Sequence, residues 1–328
     1  MRTYRIPLVL VLTAALGFGS AQNLPRVEAA MQAVGTFSWI VHGMDTFGFD
    51  VLNGIDVVGT TYASKAAVEI ALRGGEADVI VDDFLGPVLL RANDIPVTAI
   101  FPYATAIGGL VVGVDSTIEG PADLRGATLA AASLDDKSLI ILRALTIDQY
   151  GFDVQNDSEV LSASPPLMSQ LVGNGEADAA LPLWHWVARM EAAGTARELM
   201  TVADMLGMLD LPTDLPNLVV VARDAMDDEL KTKFITALVE TVEYMKALPN
   251  DDPFWQSILD LQLYSLPDES QFPAVVDRWR LGTVTTWTDA QVDGLVAMVD
   301  RLVEIAGADV VGVEAVPADA YSTAFVPR

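Results

Sequence analysis

The sequence predicts an α/β protein of two lobes, each built on a parallel-rich sheet and joined to the other by two crossing segments. Three observations predict it. "LRGGEADVIV" at 72–81 returns as "LVGNGEADAALP" at 171–182; strand-like and helix-like runs alternate around each copy; and two apolar segments stand where one lobe would hand over to the other.

Each copy opens at a serine. Ser64 begins "SKAAVEIALRGGEADVIV" and Ser164 begins "SPPLMSQLVGNGEADAAL", with Val68 and Leu72, then Leu167 and Leu171, at helical spacing. The serines suit helix N-caps and Pro165 suits a first helical position. Glycines at 74 and 75, and at 173 and 175, supply the left-handed residue that ends a helix. The "VIV" and "AAL" runs that follow have buried-strand character. Ahead of the first copy, 27–34 and 55–63 are predicted strands around a helix at 38–52. Ahead of the second, 127–133 and 158–164 are predicted strands around a helix at 137–151. Strands alternating with helices imply parallel pairing and right-handed crossovers. "ATAIGGLVVGVDS" (104–116) and "LPNLVVVARDAM" (215–226) are the two crossings, and 228–248, 252–264 and 289–307 are amphipathic helices expected to pack on the first lobe. The expected division is 1–21 signal peptide, 22–106 first lobe, 107–217 second lobe, and 218–328 return to the first lobe with the C-terminal helices.

Arg2, Arg5, an apolar run from Ile6 to Leu16 and the small residues Gly19, Ser20 and Ala21 follow the order of a secretory signal cleaved after Ala21. The run is shorter than the roughly 20 apolar residues of a membrane span. With 45 acidic against 19 basic residues the formal net charge is -26, a field that repels phosphate backbones and argues against nucleic acid as a partner. The 52% hydrophobic content sets the chain apart from acidic disordered tails. Absence of cysteine removes disulfides, thiolate metal sites and cysteine nucleophiles, and two histidines cannot build a multi-histidine metal centre. No nucleophile elbow, zincin or phosphate-loop signature occurs. Neither an enzyme nor a metal or cofactor is expected.

In open α/β sheets, ligands bind beyond the carboxyl ends of strands, near helix N-termini. That rule selects Thr36, Phe37, Ser38 and Trp39 after the first strand, with a helix cap plus core aromatic as the alternative role. After "VIV" it selects Asp83 and Phe84; the Asp82–Asp83 pair either accepts hydrogen bonds from backbone or solute, or faces solvent. Tyr103, just ahead of the first crossing, joins them. In the second lobe "AASLDDKS" offers Ser133, Asp135, Lys137 and Ser138, either receiving an anionic oxygen on helix N–H groups or capping the helix through Asp135 or Asp136. "LPLWHW" offers Trp184 and His185, with Trp186 beside them, as stacking or hydrogen-bonding groups, core packing being the rival. Trp184 is the expected wall of the solute site. Lys137 is the one base in this set against Asp82, Asp83, Asp135 and Asp136, which favours a neutral, zwitterionic or amine-bearing solute over a simple oxyanion.

The phrases "GEADVIVDDF" (75–84), "GGLVVGVDSTIEGPADLRGATLA" (108–130), "DKSLIILRAL" (136–145) and "GEADAALPLWHW" (175–186) cover the middle two-thirds in order. Through them the chain resembles the periplasmic substrate-binding proteins of ABC transporters, of the nitrate/sulfonate/taurine type that also includes thiamine-pyrimidine binders. The resemblance implies a type II periplasmic-binding-protein fold that captures a small organic molecule between its lobes. It also implies delivery to a membrane permease by a soluble, monomeric, extracytoplasmic protein. A ligand-sensing subunit of a membrane receptor is the alternative within that resemblance. Thiamine-pyrimidine synthases share the fold, but as a family they rely on a cysteine-rich motif that this chain lacks.

Overall fold

The computed structural model describes residues 24–33, 35–105, 108–266 and 268–327, so the expected signal segment lies outside the described residues. In chain order the strands are β1 (Arg26–Gln32), β2 (Asp56–Tyr62), β3 (Val79–Asp83), β4 (Val97–Ala104), β5 (Gly109–Gly113), β6 (Thr128–Ala131), β7 (Glu159–Ser162), β8 (Ala179–Ala180), β9 (Ala196–Thr201) and β10 (Leu218–Arg223). They form two five-stranded sheets of order β2-β1-β3-β10-β4 and β7-β6-β8-β5-β9. β1 is parallel to β2 and β3, and β6 to β7 and β8. β10 runs against β3 and β4, and β5 against β8 and β9. Each sheet therefore has four strands in one direction and one reversed.

The reversed strand is in both cases the one that has just arrived from the other lobe. A chain leaving β4 at the cleft enters the second sheet from the cleft, so β5 must run away from it. β10 does the same after β9 and the Val202–Met208 helix. Gly108 in the first crossing has φ +131°, and a Cβ there would fall 2.2 Å from the Pro182 carbonyl oxygen, so a side chain is excluded. Asn217 ties the crossings together: its Nδ2 donates to Thr105 O at 3.0 Å and Leu215 O at 3.3 Å, while its carbonyl accepts Phe84 N–H at 3.0 Å.

The repeated phrase performs one local task twice. Asp78 N–H donates to Glu28 O (2.7 Å) and the Asp78 carboxylate accepts Glu28 N–H (3.0 Å), pinning β3 to the start of β1. One hundred positions later, Asp178 N–H donates to Thr128 O (2.9 Å) and its carboxylate accepts Thr128 N–H (2.8 Å), pinning β8 to β6. The preceding helices, Lys65–Gly74 and Pro165–Gly173, give way through Gly75 (φ +77°) and Gly175 (φ +70°). Ser64 caps its helix by accepting Ala67 N–H, whereas Ser164 makes no side-chain cap bond and its helix opens instead on Pro165, which suits a first helical position.

The helix expected at 38–52 is two, Phe37–Phe47 and Phe49–Leu52, parted at Gly48 with φ +73°. Helices Leu85–Ala92, Trp184–Ala192, Val202–Met208 and Phe272–Gly282 and strands β4 and β9 were not among the sequence-predicted elements. The C-terminal helices do not all keep to the first lobe. Asp289–Ala306 packs along Lys137–Tyr150 of the second, which explains why residues 137–146 are buried on every side. Phe272–Gly282 is anchored in the first lobe by Trp279 against Trp39, and reaches across with Arg278, whose guanidinium meets Glu198 (2.6 Å) and Glu191 (3.2 Å) of the second. One large apolar core spans both lobes, and a smaller cluster around Val111, Met168, Val187 and Met190 lies in the second. Among the described residues no helix is long and apolar enough to cross a membrane.

The two aspartates of the repeat differ in one respect: Asp78 also receives Arg223 at 2.6 Å. Asp78→Ala is expected to cost about 1–3 kcal/mol and Asp178→Ala about 1 kcal/mol, since both carboxylates accept one backbone N–H but Asp78 is half-buried and also holds Arg223, whereas Asp178 is exposed. Denaturant midpoints of the two variants check this, and a larger loss at Asp178 would contradict it.

Candidate functional site

The four co-directed strands of each sheet end at the cleft, so the turns after β1, β3, β6 and β8 face one another. On the first-lobe side, Thr36 Oγ1 and the Tyr103 hydroxyl are 2.8 Å apart, and the Phe37 ring stands edge-on to Tyr103 at 6.1 Å. Ser38 Oγ donates to Gly35 O at 3.0 Å. Trp39 turns inward, fully buried among Trp255, Tyr264, Phe272 and Trp279, which is the core-aromatic alternative rather than a cleft group. Phe84 is fully buried as well; its carbonyl accepts the Tyr321 hydroxyl.

The acidic pair after β3 is engaged by the protein itself. Lys65 Nζ lies 2.8 Å from Asp82 and 2.6 Å from Asp83, with Glu69 at 3.7 Å. Asp83 Oδ1 also accepts the N–H groups of Leu85 and Gly86, both at 3.0 Å, and so caps the Leu85–Ala92 helix. Burial pushes the Asp82 carboxyl up to about 7, against the pull of Lys65 and with the charges of Asp83 and Glu69 adding to the rise. Burial would raise Asp83 too, but Lys65 and, from the opposite lobe, Lys137 hold it below the ordinary carboxylate range. The Asp82 side chain leaves room for nothing but glycine opposite: a Cβ at Gly86 would stand 2.1 Å from its Oδ2.

Asp136, not an incoming anion, receives the N–H groups at the start of the Lys137–Tyr150 helix, those of Ser138 (2.9 Å) and Leu139 (3.3 Å). Lys137 is buried and stays 3.5 Å from the same carboxylate, Ser138 is buried, Ser133 is half-buried and Asp135 is exposed. The turn after β6, where the sequence suggested anion-receiving N–H groups, is therefore closed by its own Asp136, and the turn after β3 is closed in the same way by Asp83.

Trp184, His185 and Trp186, read from sequence as lying just past a strand end, open the helix Trp184–Ala192. Its geometry sends neighbours to different places. Trp184, 4% exposed, packs into the main core, whereas Trp186 and Arg189, three residues apart on one face, line a cleft cavity of about 350 Å³. Pro166 completes the second-lobe wall; Ala33, Gln262, Tyr264, Ser265 and Leu266 supply that of the first. His185 Nδ1 lies 3.0 Å from the Tyr264 hydroxyl, joining the lobes, and burial together with the Arg189 charge lowers the imidazole to about 3. Arg189 is 8% exposed, with its guanidinium carbon 3.7 Å from the Trp186 ring centroid and 5.7 Å from that of Tyr264. It forms no salt bridge among the described residues, and Glu191, the acid two residues on, is taken by Arg278. A buried cation without a counter-ion is costly. Stacking occupies the guanidinium face and leaves its in-plane N–H edge available to a planar or tetrahedral anion.

Sequence reasoning missed Arg189, Lys65 and Tyr264, and put Trp184 rather than Trp186 first as the wall of the site. The i, i+3 spacing of Trp186 and Arg189 was the available signal, visible once "WHWVARMEA" is taken as a helix.

Comparison with known proteins gives a consistent picture. The profile of the family described as "ABC transporter, phosphonate, periplasmic substrate-binding protein" matches residues 50–265. No curated protein sequence matches the chain. Among solved structures, a protein of Bordetella bronchiseptica RB50 is 17% identical with TM-score 0.72, covering 92% of this chain and 95% of that one. The alkanesulfonate-binding protein SsuA of Xanthomonas axonopodis pv. citri, bound to MOPS, is 14% identical with TM-score 0.69, covering 92% and 99%. The aliphatic sulphonate binding protein SsuA of Escherichia coli is 12% identical with TM-score 0.69, covering 90% of each chain. These structures share its two-lobed α/β fold.

The proton on Asp82 has a stability signature. A carboxyl at about 7 in the folded protein and about 4 when unfolded binds more protons folded, so its contribution to stability falls as pH rises through that window. Denaturant midpoints at pH 5 and pH 8 are expected to fall less in Asp82→Asn than in the natural protein; parallel falls would contradict the assignment.

Proposed function

This chain belongs to the ABC-transporter family of phosphonate-type periplasmic substrate-binding proteins, and on that premise we propose that its solute is a small organic oxyanion whose head group docks on Arg189. The single observation that carries the reading is a guanidinium buried in an interlobe cavity, stacked on Trp186 and left without a carboxylate partner. Phosphonates and sulfonates present the same chemistry there: tetrahedral oxygens that take two in-plane N–H bonds. The family description names the first, and two of the fold neighbours bind the second. Trp186, Tyr264, Pro166 and Leu266 give the organic part of the solute an apolar wall, while Gln262 and Ser265 offer hydrogen bonds at the rim.

The acidic cleft residues do not oppose such a solute. Lys65 neutralises much of the Asp82–Asp83 pair, and Lys137 approaches Asp83 from the other lobe. The protein binds and delivers its solute without transforming it. It acts as a monomer exported through a signal cleaved after Ala21, a start that N-terminal sequencing of the mature protein reads directly; retention of Met1 would contradict it.

The binding test uses calorimetry with short alkanesulfonates and alkylphosphonates. One of the two classes is expected to bind, and Arg189→Gln to weaken it about 10- to 100-fold, the loss of charge-assisted hydrogen bonds worth roughly 1.5–3 kcal/mol. Failure of both classes to bind, or unchanged affinity in Arg189→Gln, would remove the arginine from the site.

A further inference from the structure

His185 and Tyr264 meet across the cleft. His185 stands in the second lobe at the start of the Trp184–Ala192 helix; Tyr264 lies after the Pro253–Asp260 helix, held in the first lobe by Trp39 at 5.3 Å and Phe272 at 5.9 Å. Their polar atoms are 3.0 Å apart, and both side chains are buried. Trp184 at 5.3 Å and Trp186 at 6.3 Å flank the imidazole. The same tyrosine ring forms a side of the Arg189 subsite. Parting of the lobes would break this contact, wet the imidazole and carry the wall beside Arg189 away with Tyr264.

We propose that the His185–Tyr264 contact is a positioning latch, one that assembles the solute subsite only when the lobes close and that makes closure sensitive to protons. The reason is burial: closing the cleft removes the imidazole from water beside a guanidinium on its own helix, and only the neutral ring tolerates that. Every element packed against it has its charges accounted for. Arg189 is one turn along the same helix. The Pro165–Gly173 helix carries no charge. On the Phe272–Gly282 helix, Arg278 is held by Glu191 and Glu198 and Asp277 is paired with Arg280 (2.8 Å), while Arg197 of β9 donates to the carbonyls of Ser116 and Ile118. No carboxylate is left in these elements to compensate an imidazolium, in keeping with a ring lowered to about 3 in the closed form. An open-form histidine near its ordinary value of about 6.5 takes up the proton first, so acid favours the open form. The latch rests on the reading that a solute is captured between the two lobes, not on which solute that is.

The test therefore needs no solute. Because the chain has no cysteine, spin labels at Ile70→Cys and Gln170→Cys, exposed positions on the two repeat helices, report the interlobe distance cleanly. In the doubly labelled protein the closed fraction is expected to fall as pH drops below about 6, approaching tenfold per unit for one coupled proton. His185→Gln, which cannot charge, is expected to lose that fall, and Tyr264→Phe to move it to higher pH. The latch is overturned if His185→Gln shows the same pH profile as the natural residue, or if the natural protein is equally open at pH 8 and pH 5. Failure of Arg189→Gln to weaken oxyanion binding would leave this measurement untouched, so the two proposals fail separately.

Discussion

Strand direction is the constraint on which this protein rests. A chain that passes between lobes can enter each sheet only from the side facing the other lobe, so β5 and β10 run opposite to their neighbours. The remaining four strands of each sheet then end at the cleft, and every turn after such a strand becomes a candidate for touching what lies between. Asn217 and Gly108 hold the two passages at this geometry, the first by bonding both crossings and the second by allowing the chain to pass against Pro182.

Charge within the cleft is decided locally, not by the surplus of acid on the whole chain. Counting acids against bases along the sequence favoured a neutral or amine-bearing solute, because Lys137 seemed to stand alone among four aspartates. In the fold, Lys65 sits between Asp82 and Asp83, Asp83 and Asp136 cap the helices behind them, and Asp135 is exposed. The group left uncompensated is a cation, Arg189. Over distances beyond about 8–10 Å salt screens the exposed charges, so the net charge of -26 says little about the contacts a buried solute would meet.

What was legible in the sequence was what short-range chemistry repeats. The Gly-Glu-Ala-Asp phrase marks a helix stop and a carboxylate that fastens one strand to the next, a task carried out within a few residues of the motif and one fixed partner. It lies at the far end of the strands from the cleft, so the clearest signal in the chain organises the fold. The cleft cavity draws on Trp186 and Arg189 from one segment and Tyr264 from another some eighty positions away, which no local pattern joins. Trp184 and Trp186 illustrate the limit: two indoles flanking a histidine look equivalent in a strand-end turn, yet a helix turns them about 200° apart and gives one to the core and one to the cavity. Trp39, chosen for its place after β1, is likewise drawn into an aromatic core whose other members come from the last eighty residues.

The most direct test of the account is the position of the solute in a crystal structure of protein purified with its natural ligand bound. The account predicts density in the interlobe cavity, with oxygens of an anionic group within hydrogen-bonding distance of the Arg189 guanidinium and the rest of the molecule against Trp186 and Tyr264. Density lodged instead between Asp83 and Lys137, with Arg189 touching no part of the solute, would contradict it.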